Sequence, residues 1–188
     1  MRARLSGAEE PGLQIPLDPL RRLEQRVACN SRTLCMDATL TKLRVWPTWQ
    51  KLKRIVVSAA HEDFATGARA EEFCQTLAKC LDRNCEIAKE LWPVTELRTP
   101  KLRAIAAGEA AAADLVIISV HHAEALPAEV KSWMDLWLKH KGRRTTVLAA
   151  LFDPLYLGSS SSMQAYLQGV AGKEHLEFLV RSEEKPED

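Results

Sequence analysis

The amino-acid sequence predicts an α/β three-layer sandwich built on a five-stranded parallel sheet. Short β-branched runs alternate with longer stretches of helical period from Arg54 onward. The run "DLVIISV" is apolar throughout, as expected of a strand that is covered on both faces. With 188 residues, 46% of them hydrophobic, the chain is long enough for one well-packed domain and a tail, and too short for two ordinary domains.

The first strand and the first helix follow one another directly. "RIVVSAA" is the first strand, and "GARAEEFCQTLAKCL" is the helix that follows it. One apolar stripe at helical spacing supports this helix. The stripe consists of Ala70, Phe73, Cys74, Leu77 and Leu81.

The middle of the chain repeats this unit twice. "CEIAKEL" is the second strand, and the next helix opens with Thr99 as N-cap and Pro100 as its first residue. "DLVIISV" is the third strand, and Pro127 and Gly142 mark the start and the end of the helix after it. The predicted buried stripe of that helix is Val130, Trp133, Met134 and Trp137.

The last unit completes the sheet and sets the domain boundaries. "TTVLAALF" is the fourth strand, "SSMQAYLQGVAG" is a helix capped from the serine run before it, and "LEFLV" is the fifth strand. Residues 51–182 are therefore the predicted domain. Residues 183–188 are expected to be a solvated tail.

Residues 1–50 are predicted to be an N-terminal tail or arm, partly disordered, because they show no sustained strand or helix period. Met36 is an alternative start, since the chain after it leads straight into the regular pattern. Trp46 and Trp49 precede the first strand, and two tryptophans are costly to leave in water. We expect them to dock on this chain's own sheet, on a protein partner or on a second copy in a homodimer.

Composition narrows the classes of function. The formal charge of +1 provides no bulk field for nucleic acid or an anionic membrane, so neither is expected as a partner. No stretch approaches the length of a signal peptide core or a spanning helix. The cysteines are odd in number and lack Cys-x-x-Cys spacing, which favours reduced thiols in a cytoplasmic protein. They are Cys29, Cys35, Cys74, Cys80 and Cys85.

Ligands of such sheets bind beyond the carboxyl ends of the strands, where the strand order reverses. The loops after strands one, three and four are therefore the candidate site. They read "SAAHEDFATG", "SVHHAEALP" and "FDPLYLGSSSS".

The stretch "ADLVIISVHHAEALPAEVKSWMDLWL" resembles the NADPH-dependent FMN reductases of the flavodoxin-like superfamily. In that family a flavin-contacting loop is followed at fixed spacing by a proline, a lysine and an aspartate. Pro127, Lys131 and Asp135 fall on those positions, and "GSSSSMQAYLQGVA" is similar to the family's Gly-rich segment before its last helix.

This resemblance implies FMN as the candidate cofactor, held by residues of two loops. Thr66 and Gly67 would lie near the phosphate, and His121, His122 and Ala123 would lie beside the flavin ring. The alternative is a purely structural role, in which the Thr66 hydroxyl caps the first helix and Gly67 provides conformational freedom where the loop joins it.

The sequence also departs from the family where contacts with the cofactor would be made. Val120, His121, His122 and Ala123 replace the family's Pro-Glu-Tyr-Asn. Glu62 and Asp63 stand in the phosphate loop, where carboxylates oppose a dianion. We therefore expect a non-catalytic binding or regulatory module, with an FMN-dependent NAD(P)H oxidoreductase as the alternative.

A second resemblance is to the receiver domains of response regulators. Glu62 and Asp63 match the acidic pair that binds Mg²⁺ in that family. Ser119 or Val120 stands where the phosphoacceptor aspartate belongs, and the family's lysine is replaced by Arg181 at best. The sequence is thus consistent with a receiver-like domain that lacks phosphotransfer.

A metal site built from histidines of these loops is the least favoured interpretation. It would use His61, His121, His122 and Asp153. Adjacent histidines on an extended segment point to opposite faces, and no recognisable ligand spacing is present. We therefore predict no metal ligands and no catalytic residues.

Overall fold

The structure is a computed structural model that describes residues 53–81, 85–121, 125–153 and 161–182. The predicted arm at residues 1–50, with its two tryptophans, and the predicted tail at residues 183–188 lie outside the described residues. Chain contacts divide the protein into two compact units, residues 1–35 and residues 36–188, and every described residue belongs to the second unit.

Strands and helices alternate through the described residues. The strands are β1 (Arg54–His61), β2 (Glu86–Pro93), β3 (Leu115–Val120), β4 (Val147–Phe152) and β5 (Glu177–Ser182). The helices are α1 (Phe64–Cys80), α2 (Val94–Leu97), α3 (Pro100–Ala112), α4 (Ala128–His140) and α5 (Ser161–Lys173). In these parts of the chain, none of the helices has the length and apolar character needed to cross a membrane.

The five strands form one sheet in the order β2-β1-β3-β4-β5, and all neighbours are parallel. Ala59 of β1 is aligned with Leu91 of β2 on one side and with Ile117 of β3 on the other. This architecture confirms the predicted parallel α/β sandwich, and the strand order is that of flavodoxin-like folds.

The helices lie in two layers that each bury a separate core. Residues of α2, α3, α4 and α5 pack together on one face of the sheet. On the other face, the only described helix is α1, which packs through Ala70, Phe73, Cys74 and Leu77. The predicted apolar stripes of α1 and α4 are confirmed, except that Leu81 is only half-buried.

Helix α4 shows how the apolar stripe sets the packing. Its stripe residues Val130, Trp133, Met134 and Trp137 are buried, as predicted. The ring centroids of the two tryptophans lie 6.4 Å apart, and neither ring reaches solvent. These tryptophans therefore form core and are not a stacking platform for a ligand.

Several predicted helix ends differ from the structure. Helix α1 begins at Phe64, ahead of the predicted Gly67, because Asp63 caps it. Thr99 is the N-cap of α3, but its side chain makes no capping hydrogen bond. Helix α4 ends at His140, and Gly142 does not adopt the positive φ of a left-handed C-terminal cap.

Candidate functional site

The strand order places the candidate site at the carboxyl ends of β1 and β3. The chain leaves β1 toward β2 on one side and returns to β3 on the other, so the order reverses between these two strands. The segments after β1, β3 and β4 meet there, because parallel strands end at the same edge. We call this edge, with residues 61–69, 119–121 and 153, the carboxyl edge.

A capping box at the start of α1 organises the first segment. The Asp63 carboxylate accepts a hydrogen bond from the backbone N–H of Thr66 at 2.9 Å. The Thr66 hydroxyl in turn accepts a hydrogen bond from the backbone N–H of Asp63 at 2.9 Å. Asp63 therefore uses its carboxylate to satisfy a donor at the positive end of the helix dipole.

His121 connects the three segments of the carboxyl edge. Its Nε2 atom lies 2.7 Å from the Asp63 carboxylate, and its Nδ1 atom lies 3.4 Å from the Asp153 carboxylate. Its backbone N–H donates to the Glu62 carboxylate at 2.9 Å. One residue at the end of β3 is thus bonded to the segment after β1 and to the residue after β4.

Arg69 supports this network from the second turn of α1. Its guanidinium lies 3.6 Å from the Asp153 carboxylate and donates to the carbonyl of Val120 at 3.2 Å. The Arg69 side chain is only 12% exposed, so solvent screens this pair less than an ion pair at the surface. Arg69 therefore holds Asp153 beside His121.

Two tight contacts fix the first turn of α1 on the sheet. The buried Ser119 hydroxyl donates to the carbonyl of Thr66 at 2.8 Å. The imidazole of His61 lies against Gly67, where a Cβ atom would come within 2.9 Å of the His61 Nδ1 atom. A larger residue at position 67 would have to displace the His61 ring, and the backbone of Gly67 is not left-handed.

The electrostatics of the carboxyl edge follow from these contacts. Hydrogen bonds from the Thr66 backbone and from His121 hold the pKa of the Asp63 carboxyl well below its usual range. The hydrogen bond with Asp63, with a further contribution from Asp153, raises the pKa of His121 against the opposing effect of burial. An imidazole with a carboxylate at each ring nitrogen is stabilised as imidazolium, which is a poor general base and a poor metal ligand.

The structure describes three of the five predicted cofactor-contacting residues. Thr66 and Gly67 lie in the first turn of α1, and His121 lies beside Asp63 across the gap between β1 and β3. His122 and Ala123 lie outside the described residues. The capping role considered for Thr66 belongs to Asp63, because the helix begins earlier than the sequence suggested.

The other residues singled out by resemblance have separate positions. Pro127 is the N-cap of α4, while Lys131 and Asp135 lie on its exposed side. The ammonium of Lys131 lies 5.7 Å from the ring centroid of Tyr166. These three residues belong to the start and the exposed side of α4, and the contacts described above at the carboxyl edge do not include them.

The described part of the chain contains no cluster of histidine, cysteine and carboxylate groups that could hold a metal ion. His61 points its Nδ1 atom at the backbone carbonyl of Asp63, at 2.9 Å, and so does not join His121 in one ligand set. Cys74 is buried in the core, and burial raises the pKa of its thiol to about 11, which makes it unreactive.

Arg69 is the main site residue that the sequence analysis missed. It lies on no recognisable motif, and its spacing from the apolar stripe of α1 looks like that of a solvent-facing residue. The available signal was indirect: an arginine in the second turn of a helix that starts at the carboxyl edge can reach back to the ends of neighbouring strands.

The fold and the site together define a parallel α/β protein of flavodoxin-like strand order with a histidine–carboxylate network at its switch point. In comparisons with known proteins, no family model matches the chain, and no curated protein matches it.

Proposed function

We propose that the protein is a non-catalytic binding or regulatory module that presents the carboxyl edge of a flavodoxin-like sheet to a protein partner. The main support for this proposal is that the Asp63 carboxylate is bonded within the protein, to the Thr66 backbone and to His121. This carboxylate occupies the N-terminus of α1 and accepts from the backbone N–H of Thr66, where a flavin phosphate or another bound anion would otherwise be held.

The residues at this position do not fit a phosphate dianion. Glu62 and Asp63 both place carboxylates at the start of α1, and Asp63 is also paired with His121. Carboxylates repel a phosphate dianion that is placed beside them at the same helix N-terminus. Binding of FMN would have to displace Asp63 and overcome this repulsion.

The carboxyl edge also carries a feature suited to a protein partner. Phe64, the first residue of α1, is 90% exposed, although the capping box on either side of it holds its backbone in place. An aromatic side chain has only two side-chain torsions, so it loses little conformational entropy for the large area that it buries in a complex. Phe64 is therefore the residue that we expect to anchor the partner.

Flavin binding provides the first test of this proposal. We expect freshly purified protein to show no flavin band in its visible absorption spectrum and no saturable fluorescence change when FMN is added. The matched variant is Asp63→Ser, because serine still caps a helix but carries no charge. Saturable micromolar binding of FMN to the unmodified protein would contradict the proposal and favour the oxidoreductase alternative.

Photochemical cross-linking tests the positive part of the proposal. A photoreactive benzoylphenylalanine in place of Phe64 should give a reproducible cross-link to one polypeptide in cells. The same group in place of Ile105, which is 46% exposed on α3, is the control. Identical products at both positions, or none at position 64, would show that Phe64 does not contact a partner.

A further inference from the structure

Strand β2 lies at one edge of the sheet, and no described strand pairs with its outer side. All eight of its residues are aligned with β1, so it is longer than the typical strand of about five or six residues. An edge strand presents a row of backbone N–H and C=O groups that another chain can pair with. The outer side of β2 is therefore a candidate interaction surface.

One backbone hydrogen bond shows which groups of β2 face outward. The N–H of Glu86 donates to the carbonyl of the residue before β1 at 2.9 Å, so the backbone groups of Glu86 face β1. In a parallel pair, alternate residues of each strand direct their backbone groups to the neighbouring strand. The next outward-facing position after the row of donors is Pro93, which has no N–H and ends that row. The residues whose N–H and C=O groups face away from β1 are Ile87, Lys89 and Leu91.

The side chains of β2 are held on both faces of the sheet. On the face covered by α1, the ammonium of Lys89 is bonded to the Glu71 carboxylate of α1. On the opposite face, the indole N–H of Trp92 donates to the Glu109 carboxylate of α3 at 2.8 Å. The strand is therefore already ordered, which lowers the entropy cost of adding another strand beside it.

The charges of β2 indicate what kind of strand fits beside it. Glu86 and Glu90 lie on the face opposite α1, both are exposed, and the described contacts pair neither of them with a cation. Ile87 and Leu91 lie half-buried on the other face, against the core that α1 covers. Opposite charges and apolar pairs on neighbouring strands stabilise a sheet. The complementary strand therefore has cations on one face and apolar side chains on the other.

A second copy of β2 does not fit this requirement. In an antiparallel pair, residues directly opposite one another lie on the same face, and like charges there are destabilising. A pairing centred on Lys89 places this lysine against its copy, and one centred on Glu90 does the same for this glutamate. A pairing centred on Ala88 places Glu86 opposite Glu90. The like charges of β2 thus disfavour self-association and favour a different chain.

We propose that β2 binds an extended cationic segment of a partner protein, which adds to the sheet as an antiparallel strand. The added strand carries lysine or arginine opposite Glu86 and Glu90. It carries apolar side chains opposite Ile87 and Leu91. This contact is separate from the one proposed for Phe64 and does not depend on it.

An NMR titration of the full chain tests strand addition. The probe is the acetylated and amidated peptide Val-Lys-Glu-Thr-Val-Lys, whose two lysines face Glu90 and Glu86 in the antiparallel arrangement. Saturable shifts are expected for the backbone amides of Ile87, Lys89 and Leu91. N-methylation of the peptide glutamate, which faces Lys89, should abolish binding, whereas N-methylation of its threonine should not, because the threonine N–H points away from β2.

Two results of this titration would overturn the proposal. One is the absence of saturable shifts with the unmodified peptide, or equal affinities for the two N-methylated peptides. The other is a shift of the same amides with protein concentration in the absence of peptide, which would indicate a second copy.

Variants of β2 test the charge and the backbone separately. The double variant Glu86→Lys, Glu90→Lys should bind the peptide several-fold more weakly and should prefer a peptide in which both lysines are replaced by glutamate. Lys89→Pro should abolish binding without unfolding the protein, because it removes only an outward N–H of an edge strand, and Lys89→Ala is its matched control. An unchanged peptide preference in the double variant, or equal binding by the proline and alanine variants, would contradict the proposal.

Discussion

The two ends of the sheet use charged residues differently. At the amino edge, where the strands begin, charged side chains bond both to backbone groups and to one another: Arg144 donates to the carbonyl of Ala112 and to the Asp114 carboxylate, and Lys141 donates to the carbonyl of Glu174. At the carboxyl edge, the charged side chains bond to one another through His121.

This difference separates ordinary stabilisation from a candidate site. Cations at helix C-termini, such as Lys79 and Lys173, complement helix dipoles and need no further explanation. The network around His121 couples the segments that follow β1, β3 and β4. The Asp114 carboxylate at the amino edge also links strands, through the backbone N–H of Val56 and through Arg144, so the carboxyl edge is distinguished by a histidine that lies between two carboxylates.

The largest expected difference between the two edges is the loss of stability when an arginine is replaced by alanine. Arg69→Ala should lower the free energy of unfolding by about 2 to 3 kcal/mol, because it removes a mostly buried cation from Asp153. Arg144→Ala is the matched change at the amino edge, where the side chain is 61% exposed, and it should cost less than about 1 kcal/mol. Equal losses in chemical denaturation would show that the two ends do not differ.

Replacement of Asp63 is expected to have the next largest effect on the free energy of unfolding. Asp63→Ala should lower the free energy of unfolding by about 1 to 2 kcal/mol, since it removes the cap of α1 and a partner of His121. Asp63→Ser should recover most of this loss because serine retains the cap. If urea denaturation gives the same midpoint for both variants, the cap is not the source of the stability.

Removal of the buried Ser119 hydroxyl is expected to have a smaller effect on the free energy of unfolding. Ser119→Ala should cost about 1 kcal/mol, because it removes the hydrogen bond that joins β3 to the first turn of α1. Ser132→Ala is the control, since Ser132 donates only to the carbonyl of Ala128 in its own helix. A cost for Ser132→Ala as large as that for Ser119→Ala would contradict this assignment.

The smallest expected effect is the pH dependence contributed by His121. Its pKa is raised in the folded protein, so its contribution to stability is complete below the ordinary histidine pKa of about 6.5 and is lost as the pH rises through the folded value. The stability difference between the unmodified protein and His121→Gln should therefore be larger near about pH 5.5 than near about pH 9.

An NMR titration of the imidazole checks this directly. The His121 resonance should titrate above the ordinary range, and Asp63→Asn should return it toward that range because the largest cause of the shift is removed. His140→Gln serves to assign the spectrum, since the His140 ring contacts only the Leu136 carbonyl of its own helix among the described contacts. An ordinary titration of His121 in the unmodified protein would mean that the network does not hold it as imidazolium.

The sequence by itself determined the fold class and the buried faces of helices α1 and α4. Alternation between apolar runs and helical stripes depends on residues close together in the chain, so the packing of Trp133 and Trp137 of α4 could be predicted from their spacing alone. It also indicated the carboxyl edge, because parallel strands end together. Helix ends were less predictable, since Asp63 and Thr66 compete as caps within a few residues.

Only the tertiary structure decided how the carboxyl edge is bonded. Arg69, His121 and Asp153 are far apart in sequence, and no local period relates them. Their contacts depend on strand order and register, which bring the ends of β3 and β4 to the first turns of α1.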